Sequence, residues 1–311
     1  MKKVTRASPL RSPMDAAPRT VLLAVLGESP AILTETAWAL AKEKPSVVPN
    51  RVRVLTTTQG ASRLNRELLS PAPQFAGLTP WQALREEVLG TEAAQSESAL
   101  VLEPPLAIYS CEPGRSTARE LDDVRTRAEN EAAADFILEE VRRLAAHPDT
   151  RLVASIAGGR KTMGALLYGA MTLLGREIDR VTHVLVEPPF DQHLEPTFFF
   201  PRAREKHRLI QRDGHFSEHS ATAKTITLAD LPFVPLRNAF ADLGQEVGDF
   251  ADLVGRYSKA LPQCAAGSLR GSLTESPPGV VINGRVYPLD SADGKLGAQL
   301  AILRTLFAVQ P

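Results

Sequence analysis

The chain has 311 residues, of which 43% are apolar, so it can bury the core of one large domain or of two ordinary ones. Its 36 basic side chains balance 36 acidic ones, which excludes the strongly positive field of a general DNA- or RNA-binding protein. The two cysteines, Cys111 and Cys264, stand far apart without a histidine at metal spacing, so neither a zinc site nor a disulfide framework is indicated.

The first 19 residues are basic and rich in Ser, Pro and Arg, and they predict a disordered leader. The apolar run that follows, VLLAVLG, is too short to span a membrane. We therefore expect a cytoplasmic protein that does not associate with membranes.

From residue 20 to about 203, short β-rich runs alternate with longer helical ones. Strands are predicted at VLLAVLG, RVRVLTTT, PLAIYS, TRLVASIA and RVTHVLVE, and helices at ILTETAWALAKE, ALREEVLG, Asp122 to His147, and KTMGALLYGAMTLLG, which Gly175 closes. Parallel strands need such crossover connections. The pattern predicts an α/β protein with a Rossmann-like, doubly wound and mainly parallel sheet.

After Phe200 the sequence becomes polar and charged, which predicts an exposed connection and a second region at 204–311. This region is expected to be mainly helical, with helices at LRNAFADLGQEVGDFADLVGRYSKAL and LGAQLAILRTLFAV. Asn283 and Gly284 between β-rich runs predict a hairpin, so a winged-helix-like extension is one interpretation and a dimerisation element is another.

The segment SIAGGRKTMG, Ser155 to Gly164, joins an apolar strand to a helix through two glycines and an Arg-Lys pair. It is not a Walker A loop, because Arg160 separates Gly159 from Lys161 and position 154 is Ala. It also lacks the G-x-G-x-x-G spacing of dinucleotide-binding proteins. A turn that brings backbone N–H groups and cations to a phosphate remains, beside the alternative that the glycines serve helix packing alone.

Two other strand ends carry polar groups that would meet this turn. Ser29 and Thr34 follow the first strand, and the run TTTQG follows the second. Because the carboxyl ends of parallel strands share one edge of a sheet, these groups are predicted to line one crevice. Ser29 could instead be a helix cap, and the threonines could simply favour β-structure.

Five ordered blocks, GESPAILTETAWAL, VRVLTTTQG, DDVRTRAENEAAADFILEEV, LVASIAGGRKTMGALLYGAMTLLGREIDRVTHVLVEPPF and LADLPFVPLR, resemble the CRISPR-associated Rossmann-fold (CARF) proteins. The similarity covers Thr20 to Phe200, continues from Leu228 to Arg237 and weakens beyond. It implies a homodimer whose two CARF domains bind a cyclic oligoadenylate, the second messenger of type III CRISPR systems. For several CARF proteins it also implies ring nuclease activity that needs no metal or other cofactor.

Carried over residue by residue, the resemblance implies that Ser29 and Lys161 are the catalytic positions. It assigns ligand binding to the residues around them and to the block DDVRTRAEN, which begins at Asp122. These binding positions are Gly27, Glu28, Thr57, Thr58, Arg125, Thr126, Asn130, Ala157, Gly158, Gly159, Arg160, Thr162 and Met163.

The implied reaction is in-line attack of a ribose 2′-hydroxyl on the neighbouring phosphate, which leaves a linear product with a 2′,3′-cyclic phosphate. Lys161 would stabilise the phosphorane charge and Ser29 would hold the ribose or the phosphate. In a two-fold dimer, Arg160 and Lys161 would each occur twice, matching the four phosphates of cyclic tetra-adenylate. The matching blocks contain no histidine base, so slow turnover is expected.

Two other functions stay open at this point. The protein could be a sensor that holds the ring intact and acts on DNA or a protein partner through its C-terminal region. It could also be a ligand-activated ribonuclease, since R-x(4–6)-H strings run from Arg202 to His207, Arg208 to His215 and Arg212 to His219. These strings lie in a charged connection, where they are expected by chance.

Overall fold

The computed structural model describes residues 19–110, 118–238 and 248–265, and the backbone of three further strands between 271 and 288. The chain divides into two compact units, Met1–Ala251 and Asp252–Pro311. The predicted leader, Cys111 and the final predicted helix lie outside the described residues. No helix among the described residues combines the length and apolar character needed to cross a bilayer.

The first unit is built on a seven-stranded sheet. Its strands are β1 (Arg19–Val25), β2 (Arg51–Thr56), β3 (Val101–Leu102), β4 (Leu106–Ala107), β7 (Thr150–Ser155), β8 (Arg180–Val186) and β11 (Ile226–Asp230). The order is β11-β8-β7-β1-β2-β3, where β3 pairs with the start of β2 and β4 pairs with its end. All pairs are parallel except β8 with β11, so the predicted doubly wound, mainly parallel sheet is confirmed.

Five helices of this unit cover the sheet: α1 (Ala31–Lys42), α2 (Thr58–Glu67), α3 (Pro80–Leu89), α4 (Arg127–Ala145) and α5 (Lys161–Leu174). Helix α1 packs on α3, and α4 packs on α5. Every residue from Leu22 to Leu26 is fully buried, because alternate side chains of a central strand meet helices on opposite faces. Helix α5 ends at Gly175, as predicted.

The remaining described strands form small sheets. Strands β5 (Tyr109–Ser110) and β6 (Arg119–Glu120) pair with each other, as do β9 (His207–Ile210) and β10 (Phe216–His219). The segment after Phe200 is therefore more than a connection. It forms a hairpin and then returns as β11 to extend the main sheet.

The structure divides the chain later than the predicted boundary near residue 203. Strand β11 pairs with β8 over five residues, from Ile226 opposite Val186 to Asp230 opposite Thr182. This pairing keeps the segment within the first unit, which extends to Ala251. The polar composition that suggested a linker reflects an edge strand and an exposed hairpin.

The second unit contains most of helix α6 (Phe250–Ala265) and a three-stranded sheet of β12 (Gly271–Glu275), β13 (Pro278–Ile282) and β14 (Arg285–Pro288). Strands β13 and β14 are antiparallel, with Ile282 opposite Arg285, so the hairpin predicted from Asn283-Gly284 is confirmed. Strand β12 was not predicted.

Candidate functional site

The crevice of the sheet lies where β1 and β7 run side by side. The chain leaves β1 towards β2 on one side and leaves β7 towards β8 on the other, so the loops after these strands diverge. In open α/β sheets, ligands bind at the carboxyl ends of strands at such a switch point. The Ser29 loop follows β1 and the Gly-Gly turn follows β7, so both predicted segments lie at this point.

Glycines bring the two loops into direct contact. A Cβ atom on Gly27 would lie 3.0 Å from the Cα of Gly159. A Cβ on Gly158 would collide with the backbone oxygen of Val25 and the side chain of Ile32. Gly159 has a φ of +76°, which a residue with a side chain adopts only with strain. The paired glycines therefore do more than allow helix packing, because they let the β7 turn lie against the end of β1.

Ser29 and Lys161 each stand two residues beyond this contact, and both are exposed. Helix α1 has Pro30 as its N-cap and no side-chain capping bond, so Ser29 is not a helix cap. Lys161 is the first residue of α5, whose N-terminus also lacks a side-chain cap. Within the described parts of the chain, neither the Ser29 hydroxyl nor the Lys161 ammonium has a hydrogen-bond or ion-pair partner. Thr34, by contrast, is buried in α1 and donates to the Ala31 carbonyl at 2.7 Å.

The threonines after β2 have structural partners. Thr57 is the N-cap of α2, and its hydroxyl accepts a hydrogen bond from Gly60 N at 3.3 Å. Thr58 donates to the Asp122 carboxylate at 2.7 Å, and its N–H donates to the Leu121 carbonyl at 2.9 Å. Thr58 therefore ties the end of β2 to the loop that precedes α4.

Asp123 in that loop holds Arg160. Nε of Arg160 donates to one carboxylate oxygen at 2.8 Å, and Nη2 contacts the other. Arg125 also donates to Asp123, at 2.8 Å. The hydrogen bonds from Arg160, followed by those from Arg125, lower the pKa of Asp123. Arg160 keeps its charge but is paired with Asp123, so of the four positive charges predicted for a dimer only the two copies of Lys161 have no ion-pair partner among the described residues.

Of the binding residues predicted after Asp122, Thr126 has a structural role, whereas Arg125 and Asn130 are not explained by the fold alone. Thr126 is the N-cap of α4 and forms a capping box with Glu129, which explains it structurally. Asn130, in the first turn of the same helix, has a buried side-chain oxygen for which the described residues supply no hydrogen-bond partner. Arg125 remains exposed beside Asp123.

The other predicted binding residues surround the glycine contact. Glu28 is exposed, and its carbonyl accepts a hydrogen bond from Arg63 at 3.3 Å. Thr162 is exposed in the first turn of α5, whereas Met163 is buried and packs against Gly159. Ala157 is half-buried and packs on the core. The buried Met163 side chain therefore packs against the Gly-Gly turn and supports it.

A cleft of about 680 Å³ opens beside Ser29, between α1 and the segment that follows β8. Its lining includes Glu35 and His193, neither of which was predicted from the sequence. Glu35 is only 6% exposed, and burial raises its pKa from 4.5 to about 8. A signal existed in the sequence, because Glu35 is the one acid of a mostly apolar helix.

The described residues show neither a metal cluster nor a helical ribonuclease motif. No three His, Cys, Asp or Glu side chains among them are grouped as metal ligands would be. His207 lies on β9, is 1% exposed and hydrogen-bonds through Nδ1 to the Pro196 carbonyl at 2.7 Å. His219 lies on β10 and contacts the Ser217 hydroxyl at 2.8 Å. The R-x(4–6)-H strings thus span the loop before β9 and the hairpin of β9 and β10, not a helix.

Comparison with solved structures finds a distant likeness. Enterococcus italicus Csm6 bound to cyclic hexa-2'-fluoro-hexa-dAMP is similar at 14% sequence identity, with a TM-score of 0.29. The match covers 55% of this chain and 34% of the Csm6 chain, so it spans about a third of that protein's length. At this TM-score the likeness assigns no function.

Comparison with protein families gives a clear result, whereas no curated protein matches the chain. The family model described as CRISPR-associated protein NE0113 matches residues 29–254, which is more than half of the chain. The matched range begins at Ser29 and contains the Gly-Gly turn and β11. The predicted CRISPR association is confirmed, and the chain belongs to the CRISPR-associated NE0113 family.

Proposed function

We propose that the protein is a ring nuclease of type III CRISPR systems. Two copies bind one cyclic oligoadenylate, preferably cyclic tetra-adenylate, and cleave it without metal to linear products that end in a 2′,3′-cyclic phosphate. The reaction would switch off antiviral signalling. One observation carries the proposal: Ser29 and Lys161, a hydroxyl and an ammonium without partners among the described residues, flank the glycine contact at the switch point.

The proposed step needs little from the protein beyond orientation and charge. The ribose 2′-oxygen bonds to phosphorus as it loses its proton, and the bond from phosphorus to the 5′-oxygen breaks as that oxygen takes a proton. Negative charge grows on the phosphorane between these events. Lys161 and the open N-terminus of α5 would stabilise that charge, and Ser29 would hydrogen-bond the ribose or the phosphate.

The symmetry of the ligand supports a dimeric pocket. Of the two cations of the turn, a single crevice offers Lys161 unpaired, because Arg160 is held by Asp123. A two-fold pair of crevices would offer two lysines and two α5 N-termini to a ring of four equivalent nucleotides. In this arrangement opposite phosphates of the ring meet identical surroundings.

The test is to incubate the purified protein with cyclic tri-, tetra- and hexa-adenylate in EDTA and to identify the products by mass spectrometry. We expect linear products with a cyclic phosphate, and a rate about 10²- to 10³-fold lower for Lys161→Ala. Lys44→Ala is the matched control, because Lys44 is an exposed lysine just beyond the far end of α1. It should cleave at the wild-type rate.

Failure to convert any ring would overturn the nuclease proposal. Tight binding of an intact ring, with ligand-dependent capture of DNA or protein, would instead support the sensor function. Ligand-stimulated RNA cleavage that is lost when His207, His215 and His219 are replaced by Ala would support the ribonuclease function.

A further inference from the structure

The cleft beside Ser29 has the size and composition of a small-molecule site. Its volume of about 680 Å³ falls within the range of roughly 300–1,000 Å³ for ligand pockets. Apolar side chains of Ile32, Val184, Phe190 and Phe198 line it, together with polar groups such as Gln192. Such surroundings suit a flat heterocycle better than a phosphate.

Glu35 is the buried acid of this lining, and the proposed cleavage step does not use it. The other acids of the cleft are less buried, whereas Glu35 is 6% exposed in the second turn of α1. In the part of the chain that the structure describes, its carboxyl group has no hydrogen-bond or ion-pair partner. A buried polar group without a partner is costly, so its presence at a cavity is consistent with a partner supplied by a ligand.

We propose that this cleft holds one adenine base of the bound ring and that Glu35 pairs with the edge of that base. The inference rests on the proposed ligand and names the subsite that recognises it. A neutral carboxylic acid presents one O–H donor beside one acceptor oxygen. Adenine presents the complementary pair on one edge, the N7 acceptor beside the N6 amino donor. Ser29, on the rim of the same cleft, would then lie near the ribose that carries this base.

The protonation state of Glu35 agrees with this role. Burial raises its pKa to about 8, so the carboxyl group is mainly neutral at pH 7 and can donate. Loss of the proton at higher pH removes the donor and sets a negative charge against the N7 lone pair. The other titratable or charged groups that line the cleft are Glu28, Arg63, Glu67, His183, Asp191 and His193.

The experiment measures ring binding without cleavage. The probe is cyclic tetra-adenylate with 2′-fluorine in place of each 2′-hydroxyl, which lacks the attacking group, and the dissociation constant is measured by calorimetry at pH 7 and pH 9. Free histidines titrate below this range and lysines mainly above it. Wild type should bind about tenfold more weakly at pH 9, because only the neutral fraction of Glu35 is competent.

Three variants and a second ring test the assignment. Glu35→Gln keeps a donor beside an acceptor, so it should bind as wild type does at pH 7 and should not weaken at pH 9. Glu35→Leu should bind about tenfold more weakly at pH 7. Glu67→Gln, a half-buried acid of the same cleft, should follow wild type at both pH values. A 2′-fluorinated ring of inosines, whose O6 accepts where the adenine amino group donates, should bind wild type at least tenfold more weakly.

Equal pH dependence in wild type and Glu35→Gln, or no preference for adenine over hypoxanthine, would overturn the role of Glu35 while leaving the proposed function intact. If wild type bound no adenylate ring at either pH, the proposed function would fail and this inference with it.

Discussion

The two edges of the main sheet use their charged residues in opposite ways. At the amino edge, the Asp179 carboxylate accepts hydrogen bonds from Leu152 N at 2.8 Å and from Arg176 N at 2.9 Å. Arg180 lies between the carboxylates of Glu43 and Asp230, with contacts of 2.8 Å to each. At the carboxyl edge, Lys161 and Ser29 have no such partners within the described residues.

The difference separates charges that stabilise the fold from charges that are free for a ligand. The hydrogen bonds from Arg180, first to Glu43 and then to Asp230, raise its pKa and fix its position. An arginine paired in this way cannot bind an additional phosphate without losing a partner. The carboxyl edge retains its binding capacity, and there the acid Glu35 is buried without a partner in the described part of the chain.

The largest expected effect concerns that acid. Burial raises the pKa of Glu35 from 4.5 to about 8, so the native state holds its proton more tightly than the unfolded chain does. Stability should therefore fall as pH rises from about 5 to 8, and Glu35→Gln should remove a penalty of the order of 4 kcal/mol at pH 8.5. Urea unfolding at pH 5 and pH 8.5 measures it. An equal difference between the two proteins at both pH values would contradict the linkage.

Asp179→Ala tests the opposite edge. The substitution leaves the buried Leu152 N–H and the Arg176 guanidinium without their acceptor, so the free energy of unfolding should fall by about 3 kcal/mol. Because the site lies at the other end of the strands, the folded variant should bind adenylate rings as wild type does. A parallel loss of ligand affinity would show that the two edges are coupled.

Gly158→Ala tests the contact between the β1 and β7 loops. The added methyl group meets the Val25 carbonyl oxygen and Ile32, so the turn must shift at a cost of about 2 kcal/mol in stability. The rate of ring cleavage should fall even in the fraction of the variant that is folded, because Lys161 moves with the turn. Gly255→Ala is the control, since nothing lies within 4 Å of a Cβ at that position. Thermal unfolding and the cleavage assay compare the two variants.

Asp123→Asn has the smallest expected effect. It removes the negative charge that pairs with Arg160, so ring binding should tighten about fivefold at low salt. The gain should shrink as salt is added, which calorimetry at two ionic strengths would detect. Unchanged or weaker binding would mean that Asp123 positions Arg160 for the ligand.

Much of the first unit could be predicted from periodicity and turn residues. The strand that ends before Gly27, the strand before Gly158 and the helix that stops at Gly175 lie where the sequence placed them. The two-residue strand β3 and the edge strand β11, which were not predicted, carry too little local pattern, whereas β4 lies within the predicted strand PLAIYS. β3 forms by pairing with β2, and β11 forms by pairing with β8. Both contacts join parts of the chain that are distant in sequence.

The sequence by itself determined the alternation of strands and helices, the glycine turn and the identity of Ser29 and Lys161 as polar groups at strand ends, because these depend on spacing along one chain. Only the tertiary structure decided which polar groups are used within the fold and which are available to bind a ligand. It tied Arg160 to Asp123, used Thr57 and Thr126 as caps, and buried Glu35 beside Ser29. Charge and hydrogen bonding are shared between residues far apart in sequence, so their balance is settled only when the fold brings the partners together.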